Sequence, residues 1–351
     1  MRARDGRAIL LPMSNSNGNP QRVRFALRPP TRHPPPLASL GLAKPSRDGT
    51  PPAKPAGSPR DNSLLLTPAV MRLIELAIEE DLGRGDATTQ AVILPETTAA
   101  AHLTARQRLT VAGLEVAAAV FHRVDPLIVI DTQVCDGSEV AAGARIATYR
   151  GSAAALLAAE RTALNFLQRL SGVATLARAF ATAAQGTSMR ITDTRKTTPG
   201  FRLLEKYAVR MGGASNHRFD LGSGVLIKDN HVAIAGSVSE AVRRAKGRVP
   251  HSLNIEVEVD DLAQLDEALA AGVAIVLLDN LTETDLGKAM IRIRAVKPRP
   301  LVEVSGGVTL ARIPELARLG VDLVSVGALT HSAPAVDLAL EMEMTTAGQT
   351  A

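Results

Sequence analysis

From residue 189 onward the chain alternates short, mainly apolar runs with amphipathic stretches. The runs are Met189–Thr192, Val225–Ile227, Leu253–Val257, Ala274–Leu278, Leu301–Val304 and Leu323–Val326. Between and after them, apolar residues recur at helical spacing over about 200–211, 236–247, 260–271, 282–295, 309–319 and 335–344. Apolar runs of strand length suit strands buried on both faces. The alternation therefore predicts a parallel sheet covered by helices, either a (β/α) barrel or a doubly wound fold. No Gly-x-Gly-x-x-Gly opens a βαβ unit, which argues against a dinucleotide fold. The polar residues decide for the barrel. Asp193 with Arg195, Lys228 with Asp229, Glu258, Asp279 with Asn280, Ser305 to Gly307, and Gly327 all fall where strands end. That is the face on which barrels carry their sites.

The pattern upstream is different. Thr67-Pro68 reads as a helix N-cap with proline in the first turn, followed by an apolar face at Val70, Leu73, Ile74, Ala77 and Ile78. Gly85 to Thr89 reads as a simple turn without chemistry. Residues 99–112 and 127–149 read as short strands broken at Asp136-Gly137, Ala142-Gly143 and Arg150-Gly151, with a helix over 114–124 between them. A helix over 153–170 follows. The expected architecture is an α/β sandwich over 62–171, an α/β barrel over 172–332 and a closing helix, 333–345, packed back on the sandwich.

Composition refines this picture. With no Trp, two Tyr and six Phe, the core has to be aliphatic. One cysteine, Cys135, rules out an intrachain disulfide or a cysteine metal cluster and suits a reducing cytoplasm. No apolar run reaches membrane-spanning length, so no membrane is expected. The sequence pI of 9.6 invites a nucleic-acid reading, but the basic charge is local. Residues 1–60 hold 11 Lys+Arg against 2 Asp+Glu, and the remainder 29 against 33. The same 60 residues carry 12 of the 21 prolines. Such a segment buries too little to offset its ordering entropy. Residues 1–61 are thus expected to be a disordered basic tail, arising from an over-extended start with Met13 as an internal candidate, or else resembling a transit peptide. No nucleic-acid partner is expected.

The densest chemistry lies in TDTRKTTPGFRLLEKYAVRMGGASNHRFDLGSGVLIKDNH, Thr192 to His231. Each cation or histidine alone is more often a solvated or hydrogen-bonded bystander. Four cations and two histidines placed at strand ends and glycine turns converge, and that suits a ligand with several negative charges. Glu258 and Asp279 end neighbouring strands and suit either an acid and base pair or a Mg²⁺ or ribose-hydroxyl site; the second reading is preferred, because Mg²⁺ takes one or two carboxylates plus substrate oxygens. Ser305-Gly306-Gly307 and Gly327, after the last strands, suit a phosphate cradle of bare backbone N–H groups.

The strings TRKTTPG, LEKYAV, NHR and LIKDNH resemble the signature of the quinolinate phosphoribosyltransferase family, and Glu160 to Phe166 resembles its ERTxLN motif. The resemblance runs from about Leu66 to about Met344. The family has a further glycine where Ala214 stands and often an acidic residue near Ser223. The resemblance implies an incomplete barrel of about seven strands and transfer of a phosphoribosyl group from phosphoribosyl pyrophosphate to quinolinate. It implies Arg195, His217, Arg218 and Lys228 around quinolinate, and Lys196 at the phosphoribosyl group. Ser305, Gly306, Gly307 and Gly327 would take the 5′-phosphate, with Thr194 and Ser325 also substrate-binding. Arg161 would arrive from the partner subunit of a homodimer. Lys196, Lys228, Glu258 and Asp279 are the catalytic candidates, with Mg²⁺ as the only cofactor. The residues themselves leave other classes open: a Schiff-base aldolase or lyase using Lys228 or Lys196, a non-catalytic anion sensor, and a related transferase acting on another aromatic acid.

Overall fold

The computed structural model describes residues 65–344; the tail expected over 1–61 lies outside the described residues. In chain order the first elements are α1 (Pro68–Leu82), α2 (Ala87–Val92), β1 (Thr98–Ala105), β2 (Leu109–Thr110), α3 (Leu114–Val124), β3 (Val129–Thr132), β4 (Glu139–Val140), β5 (Arg145–Ser152) and α4 (Ala153–Ala183). Then come β6 (Arg190–Thr192), α5 (Arg202–Met211), β7 (Val225–Ile227), α6 (Asp229–Ala235), α7 (Val238–Lys246), β8 (Ile255–Val259), α8 (Leu262–Ala270) and β9 (Ile275–Asp279). The chain continues through α9 (Glu283–Ala295), β10 (Leu301–Ser305), α10 (Ile313–Leu319), β11 (Leu323–Ser325), α11 (Ala328–His331) and β12 (Leu338–Met344).

The Thr67 hydroxyl accepts the Val70 N–H at 3.3 Å to start α1. The expected turn at Gly85 to Thr89 is instead the start of α2, because the Asp86 carboxylate accepts the Thr89 N–H at 2.9 Å and caps it. β1, β3, β5 and β12 form an antiparallel sheet in the order β12-β1-β5-β3. On β1 the buried positions Ala99, Ala101, Leu103 and Ala105 alternate with less buried ones. Phe121 of α3 stacks on Tyr149 of β5, with ring centroids 4.2 Å apart.

α4 extends well past the expected end at Leu170. Its apolar stripe continues through Val173, Ala174, Ala177 and Phe180, all buried. The 171/172 boundary read from the sequence therefore falls inside one rigid helix that serves both the sandwich and the barrel.

The barrel sheet is parallel, in the order β6-β11-β10-β9-β8-β7. A seventh pairing lies outside these strands: Ser215 bridges Thr192 in parallel, and the Ser215 N–H donates to the Ile191 carbonyl at 2.8 Å. The sheet thus curls around seven pairing segments and stays open between Ser215 and β7. Ala214, where the family pattern has glycine, sits outside the left-handed region, so alanine fits.

The closing helix expected over 335–344 is a strand. β12 pairs antiparallel with β1 from Ala105↔Leu338 to Ala99↔Met344. Leu, Ala, Glu and Met are good helix formers, but the open edge of β1 supplies a ladder that overrides the local preference. The approach to β12 is held by α4: the Val336 N–H donates to the Gln168 carbonyl at 3.1 Å, and Gln168 Nε2 donates to the Leu338 carbonyl at 3.0 Å. Gly172 makes this approach feasible, since a Cβ there would lie 2.0 Å from the Pro334 carbonyl oxygen. Alanine in a helix ordinarily gains about 1 kcal/mol over glycine. Here the clash with backbone dominates, and Gly172→Ala is expected to cost about 1–3 kcal/mol, measured as a lower urea midpoint.

Candidate functional site

The barrel strands present two faces. Ile255, Val257 and Val259 of β8 join the apolar core, while Glu256 and Glu258 alternate with them on the other face. On the same reading Leu277 and Asp279 of β9, Glu303 and Ser305 of β10, and Ser325 of β11 line the barrel interior. Leu277 is buried but lies outside the continuous apolar cluster. The site is therefore built on a polar interior wall at the C-terminal ends of the strands.

Two charges on α5 hold that wall's loops. Glu205 and Lys206, the middle of the LEKYAV string, are both fully buried. Lys206 Nζ pairs with Asp193, also fully buried, and donates to the His217 carbonyl at 2.9 Å. Asp193 accepts in addition from Asn216 Nδ2 at 2.6 Å and from the His217 N–H at 2.9 Å. Burial pushes the Asp193 carboxyl up and the Lys206 ammonium down, each against its partner's attraction. Glu205 grips the other loop. It accepts from the Thr198 N–H at 3.0 Å and the Thr198 hydroxyl at 2.8 Å, and it pairs with Arg169 of α4 at 2.6 Å. Arg169 also donates to the Ala333 carbonyl at 2.7 Å and to the Thr330 carbonyl. The loops carrying Arg195 and Lys196, His217 and Arg218, and Gly327 are thus tied together from beneath.

The sequence candidates sort into four groups. Arg195 and Arg218 lie close enough that the Arg195 charge, after burial, helps push the Arg218 guanidinium below its usual value. Arg195 Nε is buried without a hydrogen-bond partner. Arg218 Nη1 donates to the Gly224 carbonyl at 2.9 Å. Beneath them His217 Nε2 lies 3.4 Å from Glu256 and 3.6 Å from Glu303. In the second group, Lys228 pairs with Glu258 across β7 and β8. Asp279 accepts from Asn280 Nδ2 at 2.8 Å. Asp260 is pushed up by burial and then by the charges of Asp279, Asp229 and Asp261.

The third group is the glycine cradle. Gly306 and Gly307 both have positive φ, and a Cβ on Gly306 would meet Asn280 Oδ1 at 2.0 Å, so only glycine fits there. Gly327 lies against the Lys196 side chain and His331. The Thr330 hydroxyl donates to the Lys196 carbonyl at 2.8 Å, and the Lys196 N–H donates to Thr194 Oγ1 at 3.0 Å. Ser325 is buried beside Glu303. Arg161 stands apart. It is exposed on α4, in a cleft of about 320 Å³ shared with Leu73, Leu76, Asn165, Phe166 and Phe201.

Sequence reasoning missed Glu303 and His331 and left Glu256, Glu205 and Lys206 without roles. Glu303 stands two residues before Ser305 on one strand, so strand parity alone marks it as an interior residue. Removing one partner of the buried pair tests what holds these loops. Lys206→Met leaves Asp193 buried without its cation and is expected to cost about 3–5 kcal/mol in urea unfolding.

Comparison with known proteins agrees over both parts of the chain. Residues 86–171 match the quinolinate phosphoribosyl transferase N-terminal domain, and residues 173–341 match the C-terminal domain. The chain is 42% identical over 275 residues to the nicotinate-nucleotide pyrophosphorylase [carboxylating] of Mycobacterium leprae, covering 77% of this chain and 95% of that protein. It is 40% identical over 265 residues to the probable enzyme of the same name from Synechocystis, covering 76% and 90%. The solved nicotinate-nucleotide pyrophosphorylase from Francisella tularensis superposes with a TM-score of 0.72 at 38% identity, over 78% of this chain and 96% of that one. The chain belongs to the quinolinate phosphoribosyl transferase family.

Proposed function

We propose that the protein joins quinolinate to phosphoribosyl pyrophosphate and releases pyrophosphate, carbon dioxide and nicotinate mononucleotide, a step of NAD biosynthesis. The observation that carries this reading is the adjacent Arg195 and Arg218, two like charges side by side, with Arg195 Nε buried and unpartnered. A ligand with two neighbouring carboxylates relieves that repulsion and supplies the missing acceptors. The glycine cradle at Gly306, Gly307 and Gly327, with Lys196 beside it, suits the phosphate end of the second substrate.

The reaction asks for positioning and charge rather than a nucleophilic side chain. The quinolinate nitrogen attacks the anomeric carbon as the bond to pyrophosphate breaks, and the ring oxygen supports the positive character that develops. The positive ring nitrogen stabilises the electron pair left on C-2 when that carboxylate departs as carbon dioxide, and a proton then bonds to that pair at C-2. Lys228, paired with Glu258 and acting on Asp260, balances charge while both substrates are bound. Asp279 and Glu258, with Asp260 beside them, are all-oxygen donors of the kind Mg²⁺ prefers. When bound there, the ion would neutralise pyrophosphate charge. Glu258 is already paired with Lys228, so Lys228 and the ion compete for it.

The aldolase reading loses its basis. Lys228 is committed to Glu258, Lys196 lies on the exposed rim, and the buried lysine, Lys206, is closed off and committed to Asp193. Among the described residues no helix is long and apolar enough to cross a membrane; the single cysteine suits a reducing cytoplasm.

The assay is mass spectrometry of products after addition of quinolinate, phosphoribosyl pyrophosphate and Mg²⁺. Nicotinate mononucleotide is the expected product, and its absence refutes the reading. Arg218→Ala should raise the quinolinate KM in line with about 1.5–3 kcal/mol of lost charge-assisted bonding.

Arg161 supports a homodimer with shared sites. It is exposed on α4, in a cleft it shares with Phe201, and belongs to the ERTxLN motif. Arg161→Ala spoils what a subunit donates, and Lys196→Ala spoils what its own barrel supplies. Co-refolding the two inactive variants makes half the dimers hybrid, each with one intact site. Activity should return to roughly a quarter of wild type. A mixture that stays inactive after verified subunit exchange means Arg161 acts within its own chain.

A further inference from the structure

His217, Glu256 and Glu303 form a cluster whose two carboxyl groups the proposed chemistry leaves unused. All three are largely closed to solvent, Glu303 most of all at 2% exposure. Glu256 Oε1 and Glu303 Oε1 meet no hydrogen-bond donor. Among the described residues Glu303 pairs with no lysine or arginine; its ionic neighbour is His217. Two carboxyl groups this close and this buried require a metal ion, an imidazolium or a proton to balance them.

The backbone decides among these. The Arg218 N–H donates to His217 Nδ1 at 2.8 Å, so Nδ1 carries no hydrogen and the ring hydrogen sits on Nε2. Nε2 is the atom that faces Glu256 and Glu303. It donates toward them and has no lone pair for a metal. Burial opposes an imidazolium at His217, while Glu256 and Glu303 favour one and raise the net value. One proton is thus contested between the ring and the carboxyl pair, and the Arg218 amide, which needs a bare Nδ1, awards it to the pair.

We propose that Glu303 is a positioning residue that, joined to Glu256 and facing His217 Nε2, fixes the imidazole whose Nδ1 holds the Arg218 N–H, and so sets affinity for the dicarboxylate substrate through Arg218. The inference rests on the quinolinate reading above. Glu303 performs this role as the neutral acid. Burial, and then the Glu256 charge, push its pKa up to about 7, against the pull of His217 and Ser325. The groups acting on it are Glu256 from β8, His217 from the loop before β7 and Ser325 from β11, while Lys206 of α5 acts on His217 and Glu256 acts on Arg218. Below about pH 7 the acid donates to Glu256 and satisfies the donorless oxygens. As pH rises through 7 the proton leaves, a second negative charge appears beneath a pocket for a dianion, and quinolinate binding weakens.

The test uses the full-length enzyme with each substrate varied separately from pH 6 to 8.5. In wild type the quinolinate KM should rise roughly tenfold above pH 7, with the phosphoribosyl pyrophosphate KM little changed. Glu303→Gln mimics the neutral acid and should keep low-pH affinity while flattening that rise. Glu303→Leu should raise the quinolinate KM at low pH roughly tenfold with kcat nearly kept, and should shift the His217 ring signals in a long-range ¹H–¹⁵N spectrum. If the leucine variant does not fold, the Gln pH profile decides. A Gln variant that follows the wild-type profile, a leucine variant in which both KM values move together, or a stoichiometric transition metal lost from Glu303→Gln overturns the proposal alone. A wild type that neither binds nor converts quinolinate overturns the functional reading, and this inference with it.

Discussion

The buried charges of α5 are the constraint on which the site depends. Glu205 and Lys206 are adjacent in sequence, so on a helix they point in different directions and reach different loops. Lys206 holds Asp193 at the end of β6 and the carbonyl of His217, while Glu205 holds Thr198 and Arg169. Neither is a good investment in stability alone, because desolvating an ion consumes most of what its partner returns. What the pairs supply is geometry. Each charge accepts or donates several bonds whose directions are set by the helix, so the loops that carry the cations have one low-energy arrangement.

That rigidity explains how so many like charges stay together. Arg195 and Arg218 repel each other, and Asp260 sits among Asp279, Asp229 and Asp261. A flexible rim would let these groups swing into water, where a high dielectric weakens the repulsion. Held from beneath, they keep an excess of positive charge at one wall and negative charge at the other. The positive wall is complementary to an anion and the negative wall to a cation, and the like charges on each are held in place before any ligand arrives.

The fold was legible where periodicity and strand ends agreed. Six apolar runs became β6 to β11, and the polar residues after them became the rim. Two of the misreadings share one cause, which is that long-range packing outvoted local pattern. The residues of β12 have helical composition but meet the bare edge of β1, and α4 continues because a second apolar surface arrives beside it. Asp86 was read as a turn residue because a cap and a turn draw on the same amino acids. On the site side, cations and glycines were visible because they cluster in sequence. Glu303 was hidden inside an apolar run, and Lys206 looked like a helix surface charge until its burial was known.

The pairing of β12 with β1 bears on how the protein is made. Ala99 meets Met344, so the sheet in the first part of the chain receives its edge strand from the last part. During synthesis the sandwich emerges with β1 unpaired on that side and stays so until the whole barrel has been translated. An uncovered strand edge is where chains join one another wrongly. The sheet is therefore complete only when both ends of the chain are present, and until then the β1 edge stays open to wrong pairing.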